Sequence, residues 1–91
     1  MTVGKTYWCN ITGGVSCYTD TGRKQNGYPV FHCQQYHFMY GDSVTIVQKV
    51  YGYSEDMLDG STYLFYKTNT GVYIWSLLEE WFTETKPGIE M

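Results

Sequence analysis

Residues 63–82, YLFYKTNTGVYIWSLLEEWF, form the stretch that decides the fold. Two runs of alternating apolar residues, 63–67 and 72–75, flank the turn-forming segment TNTG at 68–71. Alternation with a period of two on both sides of a short loop containing Asn and Gly is typical of a β-hairpin. After Trp75 the spacing becomes helical, and Ser76 with Glu79 three positions later matches a capping box. The stretch therefore predicts a hairpin followed by one short helical turn.

The rest of the chain predicts further short strands. Residues 43–51 alternate, with Val44, Ile46 and Val50 on one face. Shorter β-prone runs occur at 3–9, 15–18 and 30–36, while residues 19–27, TDTGRKQNG, have the composition of a polar loop. Together these elements predict an all-β fold, a small barrel of five or six short strands with one short C-terminal helical turn. We assign residues 1–82 to this single domain and residues 83–91 to a polar tail.

Composition limits the classes of function. The chain has 91 residues, 19% of them aromatic, and a net charge of −3. Its six basic residues are scattered except for one adjacent pair, so we expect no nucleic-acid binding, which needs a basic stripe. No apolar run is long enough for a membrane span, and the N-terminus lacks the apolar segment of a signal peptide. Three cysteines, an odd number, fit a reducing compartment. These features predict a cytoplasmic protein, or a virion component if the chain is encoded by a phage.

Several segments resemble the bacterial SH3-like (SH3b) domain family. Residues 41–47, GDSVTIV, resemble the family's GD-x-V-x-V strand, and residues 63–67 with 71–75 resemble its closing hairpin. Residues 15–18 and 76–78 are similar to its first strand and its terminal turn. The resemblance covers residues 15–82 and implies an SH3-like barrel, with cell-wall binding as a function of many members. The family's Asn-x-Arg-x-Gly-Pro loop is replaced here by residues 17–22, CYTDTG.

The cysteines and histidines lie between positions 9 and 37. Cys9, Cys17, Cys33 and His37 could supply four zinc ligands, with His32 as a spare, because zinc accepts thiolate and imidazole in tetrahedral geometry. The alternative is that the cysteines are small apolar residues on strands. The second reading is the one that we favour, and we expect no cofactor, with zinc as the exception to be tested.

The sequence gives no sign of an enzyme. Cys33 and His32 are neighbours on a strand and point to opposite faces, and no glycine turn beside a cysteine suggests an oxyanion hole. The acids Glu55, Asp56 and Asp59 share one loop, which indicates a hydrated acidic surface rather than a catalytic carboxylate pair.

Aromatic residues are the most informative feature for function. One face of the predicted hairpin carries Leu64, Tyr66, Val72 and Ile74, and the other carries Tyr63, Phe65, Tyr73 and Trp75. The aromatic face is either covered as a second small core or exposed, and exposed aromatics with polar tips are typical of protein interfaces and sugar-stacking surfaces.

The sequence therefore predicts a non-enzymatic protein-binding module, which occupies a partner's surface. The candidate contact residues are Tyr51, Tyr53, Glu55, Asp56, Asp59, Tyr63, Tyr73 and Trp75, with the acids steering towards a basic patch. A phage protein that targets a host protein or joins a virion assembly would fit this description. The alternatives are a cell-wall (peptidoglycan) binding SH3b module, in which the same rings stack on sugars, and a zinc-stabilised small domain.

Overall fold

The computed structural model describes residues 1–57 and 59–88, and at Gln35 and Tyr36 it describes the backbone. Seven strands follow one another along the chain: β1 (Thr6–Cys9), β2 (Val15–Gln25), β3 (Tyr28–Phe38), β4 (Ser43–Ser54), β5 (Tyr63–Thr68), β6 (Tyr73–Trp75) and β7 (Phe82–Thr83). A six-residue 3₁₀ helix, Ser76–Trp81, joins β6 to β7. No helix in the described part of the chain is long and apolar enough to cross a membrane.

Five of the strands close a barrel in the order β2, β3, β4, β5, β6. The β4–β5 and β5–β6 pairs are antiparallel, β6 meets β2 at Tyr73 and Tyr18, and β3 runs parallel to β4. The remaining strands, β1 and β7, extend the sheet beyond the first half of β4. The prediction of an all-β, small SH3-like barrel with one short C-terminal helical turn is thus confirmed.

The β2–β3 hairpin is much longer than the sequence suggested. Residues 19–25, predicted as a polar loop, continue β2, and Gln25 pairs with Tyr28 across a two-residue turn. Asn26 and Gly27 have φ values of 53° and 85° in that turn, the left-handed region that Asn-Gly favours in tight hairpins. The prediction of a loop was wrong because exposed strands at a hairpin tip carry polar residues on both faces.

Two hydrophobic cores lie on opposite faces of the β5–β6 hairpin. The first core contains ten buried residues: Tyr7, Cys9, Val15, Cys17, Phe38, Val44, Ile46, Tyr66, Ile74 and Phe82. The second core contains Tyr18, Phe31, Phe65 and Tyr73, covered by the partly buried side chains of Cys33, Val50, Tyr63, Trp75 and Leu78. The predicted division of the hairpin into a Tyr66–Ile74 face and a Phe65–Tyr73 face is confirmed.

The helical turn has a different local structure from the predicted capping box. No side chain caps the N-terminus of the 3₁₀ helix, so Ser76 does not act as predicted. Glu79 instead accepts a hydrogen bond from the hydroxyl of Tyr66 at 2.8 Å. None of the helix residues is buried, and Leu77 and Trp81 are 62% and 38% exposed. Two of the apolar residues at helical spacing, Leu77 and Trp81, are therefore surface residues.

The predicted polar tail begins inside the fold. Phe82 and Thr83 form β7, which pairs with Trp8 and Cys9 of β1. Phe82 lies in the first core at 7% exposure, because its ring reaches Phe38 with ring centroids 5.7 Å apart. Residues 89–91 of the predicted tail lie outside the described residues.

Candidate binding groove

A groove of about 680 Å³ lies between the tip of the β2–β3 hairpin and the segment that follows β4. We refer to it as the groove. Its lining residues come from these two elements and from the floor between them: Arg23, Lys24, Gln25, Val30, Tyr53, Ser54, Glu55, Asp56, Met57 and Gly60.

The hairpin wall owes its shape to a β-bulge. The pairing of β2 with β3 shifts between Asp20 and Lys24, and Gly22 within the bulge has φ 84°. The Asp20 carboxylate accepts a hydrogen bond from the Gly22 amide at 2.8 Å, and Thr21 Oγ1 accepts one from the Arg23 amide at 3.2 Å. Because bulges redirect side chains, this local structure brings Arg23 to the groove.

The opposite wall is a turn at the end of β4. Ser54 is buried at 4% exposure, its carbonyl accepts a hydrogen bond from the Met57 amide at 3.1 Å, and its hydroxyl oxygen lies 3.3 Å from the Asp56 amide. This turn places the Asp56 carboxylate on the surface and leaves Met57 38% exposed. Methionine is a flexible apolar side chain that adapts to different contact surfaces.

Charges of both signs face each other across the groove. Both oxygens of the Glu55 carboxylate are engaged, Oε2 by the Arg23 guanidinium and Oε1 by His32 Nδ1 at 2.7 Å. We call Arg23, His32 and Glu55 the clasp. Within the described residues, Lys24 and Asp56 have no ion-pair partner. One uncompensated cation and one uncompensated anion therefore remain available on opposite walls.

Aromatic rings extend the groove towards the hairpin tip. Tyr53 meets Tyr28 edge-on with ring centroids 6.1 Å apart, and its hydroxyl accepts a hydrogen bond from Asn26 Nδ2 at 3.1 Å. Tyr28 is 44% exposed and Tyr53 is half-buried. A partly exposed aromatic pair beside a groove is the composition that protein interfaces use as an anchor.

The structure places only part of the predicted contact set in the groove. Tyr53, Glu55 and Asp56 line it. Tyr51 is 58% exposed but lies outside the lining. Asp59 and Tyr63 also lie outside it, joined by a hydrogen bond of 2.5 Å from the Tyr63 hydroxyl. That hydrogen bond lowers the pKa of Asp59 and raises the pKa of Tyr63.

The aromatic face of the hairpin, for which the sequence leaves both burial and exposure open, is a second core. Tyr73 is 8% exposed and packs on Phe31 with ring centroids 4.5 Å apart, so its ring is not a surface anchor. Tyr63 and Trp75 cover this core, half-buried and 5.3 Å apart. The indole Nε1 of Trp75 is buried and has no hydrogen-bond acceptor among the described residues. The small size of the chain explains why this core consists of aromatic rings. Each ring buries a large apolar area, so a few of them can fill a core that a larger protein would build from more side chains.

The suggested zinc ligands are not brought together. Cys9 and Cys17 lie in the first core, Cys33 borders the second, and His37 Nδ1 lies 3.4 Å from Ser16 Oγ on the outside of the hairpin. In the described ranges no three His, Cys, Asp or Glu side chains are grouped as metal ligands. Burial raises the pKa of the Cys9 and Cys17 thiols, which disfavours the thiolate form that binds metals.

The sequence does not indicate the hairpin wall of the groove. Arg23, Lys24 and Gln25 escape sequence reasoning because residues 19–27 have the composition of a polar loop. The signal that could have found them is Asn26-Gly27, which predicts a two-residue hairpin turn and hence paired strands on both sides. Comparison of the chain with protein families, with characterised proteins and with solved structures finds no match.

Proposed function

We propose that the protein is a non-enzymatic binding module that uses the groove to occupy part of a partner protein's surface. The observation that carries this proposal is the juxtaposition of free charges on opposite walls, Lys24 and Asp56, beside exposed Met57 and the half-buried ring of Tyr53. Such a combination of an apolar anchor with flanking charges is the usual composition of a protein interface.

The mechanism follows from the same residues. A partner side chain that covers Met57 and Tyr53 would remove apolar area from water, which stabilises the complex. Lys24 and Asp56 would set the orientation, since charges at the rim favour one docking register and oppose others. No bond is made or broken, and the partner's activity changes because part of its surface is covered. A phage protein acting on a host protein, or a virion component, would work in this way.

Cell-wall glycan is the second candidate ligand. Tyr28, 44% exposed beside Tyr53, offers a ring face on which a sugar could stack. The resemblance to SH3b domains implies the same ligand class.

The test compares two fractions and two variants. Tagged protein is incubated with isolated bacterial cell walls and with soluble lysate, and bound material is quantified by sedimentation and by affinity capture. We expect capture of one soluble protein, reduced about tenfold or more by the double variant Met57→Ala/Asp56→Lys, as for loss of an interface anchor. Tyr51→Ala, a large exposed ring outside the groove, is the matched control and should bind as the wild type does.

Three outcomes contradict the proposal. Sedimentation with cell walls would favour the glycan ligand. Loss of capture in Tyr51→Ala, with the groove variant unaffected, would place the contact on the exposed aromatic residue that the sequence indicated. Equal binding by the wild type, the groove variant and Tyr51→Ala would exclude both the groove and the surface around Tyr51 as the contact site. Circular dichroism of each variant checks that the barrel is folded.

A further inference from the structure

The barrel closes through a short seam beneath the groove. We define the seam as the parallel pairing of β3 with β4, which contains two residue pairs, Val30 with Tyr53 and Phe31 with Ser54. By contrast, six pairs join β4 to β5. One further backbone hydrogen bond extends the seam, from the Glu55 amide to the Phe31 carbonyl at 2.9 Å. The β2–β6 junction is shorter still, with the single pair Tyr18 and Tyr73. Junctions with so few backbone hydrogen bonds open more readily than long ladders such as β4–β5.

Side chains hold the β2–β3 hairpin to the other side of this seam. The clasp joins Arg23 of β2 and His32 of β3 to Glu55, directly after β4. The additional contacts are the Asn26–Tyr53 hydrogen bond and the edge-on ring pair of Tyr28 with Tyr53. The width of the groove therefore depends on contacts that solvent reaches, since Arg23 and His32 have side-chain exposures of 63% and 50%.

One member of the clasp is a histidine, the side-chain type that serves most often as a pH switch in proteins. An imidazole ordinarily gains its proton between pH 8 and 5, whereas a carboxylate stays ionised down to about pH 4 and a guanidinium stays charged throughout. In the charged form His32 donates a charge-assisted hydrogen bond to Glu55 Oε1, and the carboxylate is held by two cations. When His32 is neutral, its hydrogen bond to Glu55 is no longer an ion pair, and Arg23 is the one cation that remains in the clasp. Other ionisable groups on the packed elements include Asp20 and Lys24 on β2, Cys33 on β3, Tyr53 on β4 and Asp56 after it.

We propose that the clasp is a pH-responsive latch: protonation of His32 fastens β3 to Glu55 at the end of the seam, beneath the groove, and deprotonation loosens this contact. The role of the latch in binding rests on the proposed function of the groove, but the latch itself needs no ligand. Lower pH therefore favours the latched state and higher pH the loosened state. The direction follows from charge, because a protonated imidazole attracts the Glu55 carboxylate and a neutral one does not.

The experiment measures opening of the seam without any ligand. Amide hydrogen exchange is followed by NMR at pH 5.5 and 7.5, and each rate is divided by its intrinsic rate at that pH. The reporter is the Glu55 amide, which is bonded to the Phe31 carbonyl. We expect its protection to rise about two- to fivefold at pH 5.5, the range set by exposed ion pairs. The internal control is the Thr68 amide, which is bonded to the Val72 carbonyl at 2.8 Å in the β5–β6 turn.

The chain offers a matched pair of variants, because its two histidines lie on the same strand and only His32 touches Glu55. His32→Gln should abolish the pH dependence at Glu55, and His37→Gln should retain it. Glu55→Gln should lower the protection of its own amide at both pH values and remove the difference between them.

Equal changes at Glu55 and Thr68 would mean that pH acts on the whole fold, and the latch would be rejected. Loss of the effect in His37→Gln, or its survival in His32→Gln, would also overturn it. Because no partner is present, failure of the latch is separable from failure of the binding proposal, which the capture experiment tests by itself.

Discussion

The two cores of this small barrel are enclosed in different ways. Strands β1, β4 and β7 cover the first core, with three residue pairs between β1 and β4 and two between β1 and β7. The second core lies under the seam, where two residue pairs join β3 to β4. It is built almost entirely from rings, with Phe31 and Phe65 fully buried and their centroids 4.4 Å apart.

This difference shows how side-chain packing can replace a missing backbone ladder. Each buried aromatic ring contributes a large apolar area, and ring pairs add a further preference in geometry. Phe31 carries this role at the seam, since its backbone pairs with Ser54 while its ring packs on Phe65 and Tyr73. We therefore expect seam substitutions to affect the groove and first-core substitutions to affect only overall stability.

Removal of the Phe31 ring should have the largest effect. Phe31→Ala deletes a side chain of 0% exposure, and we expect a loss of about 3–5 kcal/mol in the free energy of unfolding. Urea denaturation measures this loss. Phe82→Ala in the first core, where the ring is 7% exposed on the two-residue strand β7, is the comparison.

The distinguishing measurement is local. Phe31→Ala should also reduce the exchange protection of the Glu55 amide beyond the global loss, whereas Phe82→Ala should reduce all protected amides together. If both variants behave alike at Glu55, the second core does not hold the seam.

Gly52 offers a smaller change at the same place. A Cβ atom on Gly52 would lie 2.5 Å from Phe31 Cε2 and 2.6 Å from the Pro29 carbonyl oxygen, both too close for an undisturbed structure. Overpacking of this kind destabilises by about 1–3 kcal/mol, so Gly52→Ala should lower the urea midpoint and loosen the seam. Gly13→Ala, where a Cβ atom meets nothing within 4 Å, is the control and should unfold as the wild type does. Equal stability of the two variants would contradict the close packing of β3 on β4.

The sequence could predict what depends on local alternation. The β5–β6 hairpin and its two faces follow from period-two patterns, and Tyr66 and Phe65 lie in different cores as those patterns require. The predicted common face of Val44, Ile46 and Val50 is wrong, because a register shift after Ile46 turns Val50 towards the second core. The seam could not be predicted in this way. Val30 and Tyr53 are distant in sequence, and their pairing depends on how far the β2–β3 hairpin projects.

The groove, like the seam, could not be predicted from local sequence patterns alone. Tyr53, Glu55 and Asp56 were found because aromatic and acidic residues are conspicuous, but Arg23 and Lys24 belong to a wall that exists only once the hairpin forms. The burial of Tyr73 was left open because alternation assigns a residue to a face and does not say what covers that face.

The first core has its own polar contact at Tyr66, which is 4% exposed and donates to Glu79. Tyr66→Phe should lower the free energy of unfolding by about 0.5–1.5 kcal/mol at neutral pH, the usual contribution of one hydrogen bond. Burial, followed by the hydrogen bond to Glu79, raises the pKa of Tyr66 to about 12. A tyrosine in the unfolded chain ionises near pH 10, so this contribution is complete below pH 10 and is lost as pH rises towards 12.

Denaturation at pH 7 and pH 11 tests this prediction together with tyrosinate absorbance. The wild type should lose more stability between the two pH values than Tyr66→Phe, and the variant should show one late-ionising tyrosine fewer. An identical alkaline loss in both proteins would mean that the Tyr66 hydroxyl is not enclosed by the first core.

The smallest expected changes in stability come from substitution of two asparagines, Asn69 and Asn26. Asn69 Oδ1 accepts a hydrogen bond from the Thr45 amide at 3.0 Å, so it completes the backbone bonding of β4 beside the first core. Asn26 Nδ2 donates to the Tyr53 hydroxyl at 3.1 Å and joins the hairpin tip to the groove wall. Asn69→Ala should lower the free energy of unfolding by about 1 kcal/mol, because a backbone donor loses its partner.

Asn26→Gly should leave that free energy within about 0.5 kcal/mol of the wild type, since glycine accepts the φ of 53° and the lost hydrogen bond is exposed to solvent. Its effect is expected in the groove, as higher backbone mobility of Gly27 and Tyr28 in ¹⁵N relaxation. The Asn69 variant should show no such change at the hairpin tip. If Asn26→Gly lowers global stability as much as Asn69→Ala does, the hairpin tip is an integral part of the barrel and the seam is not a separate, weaker closure.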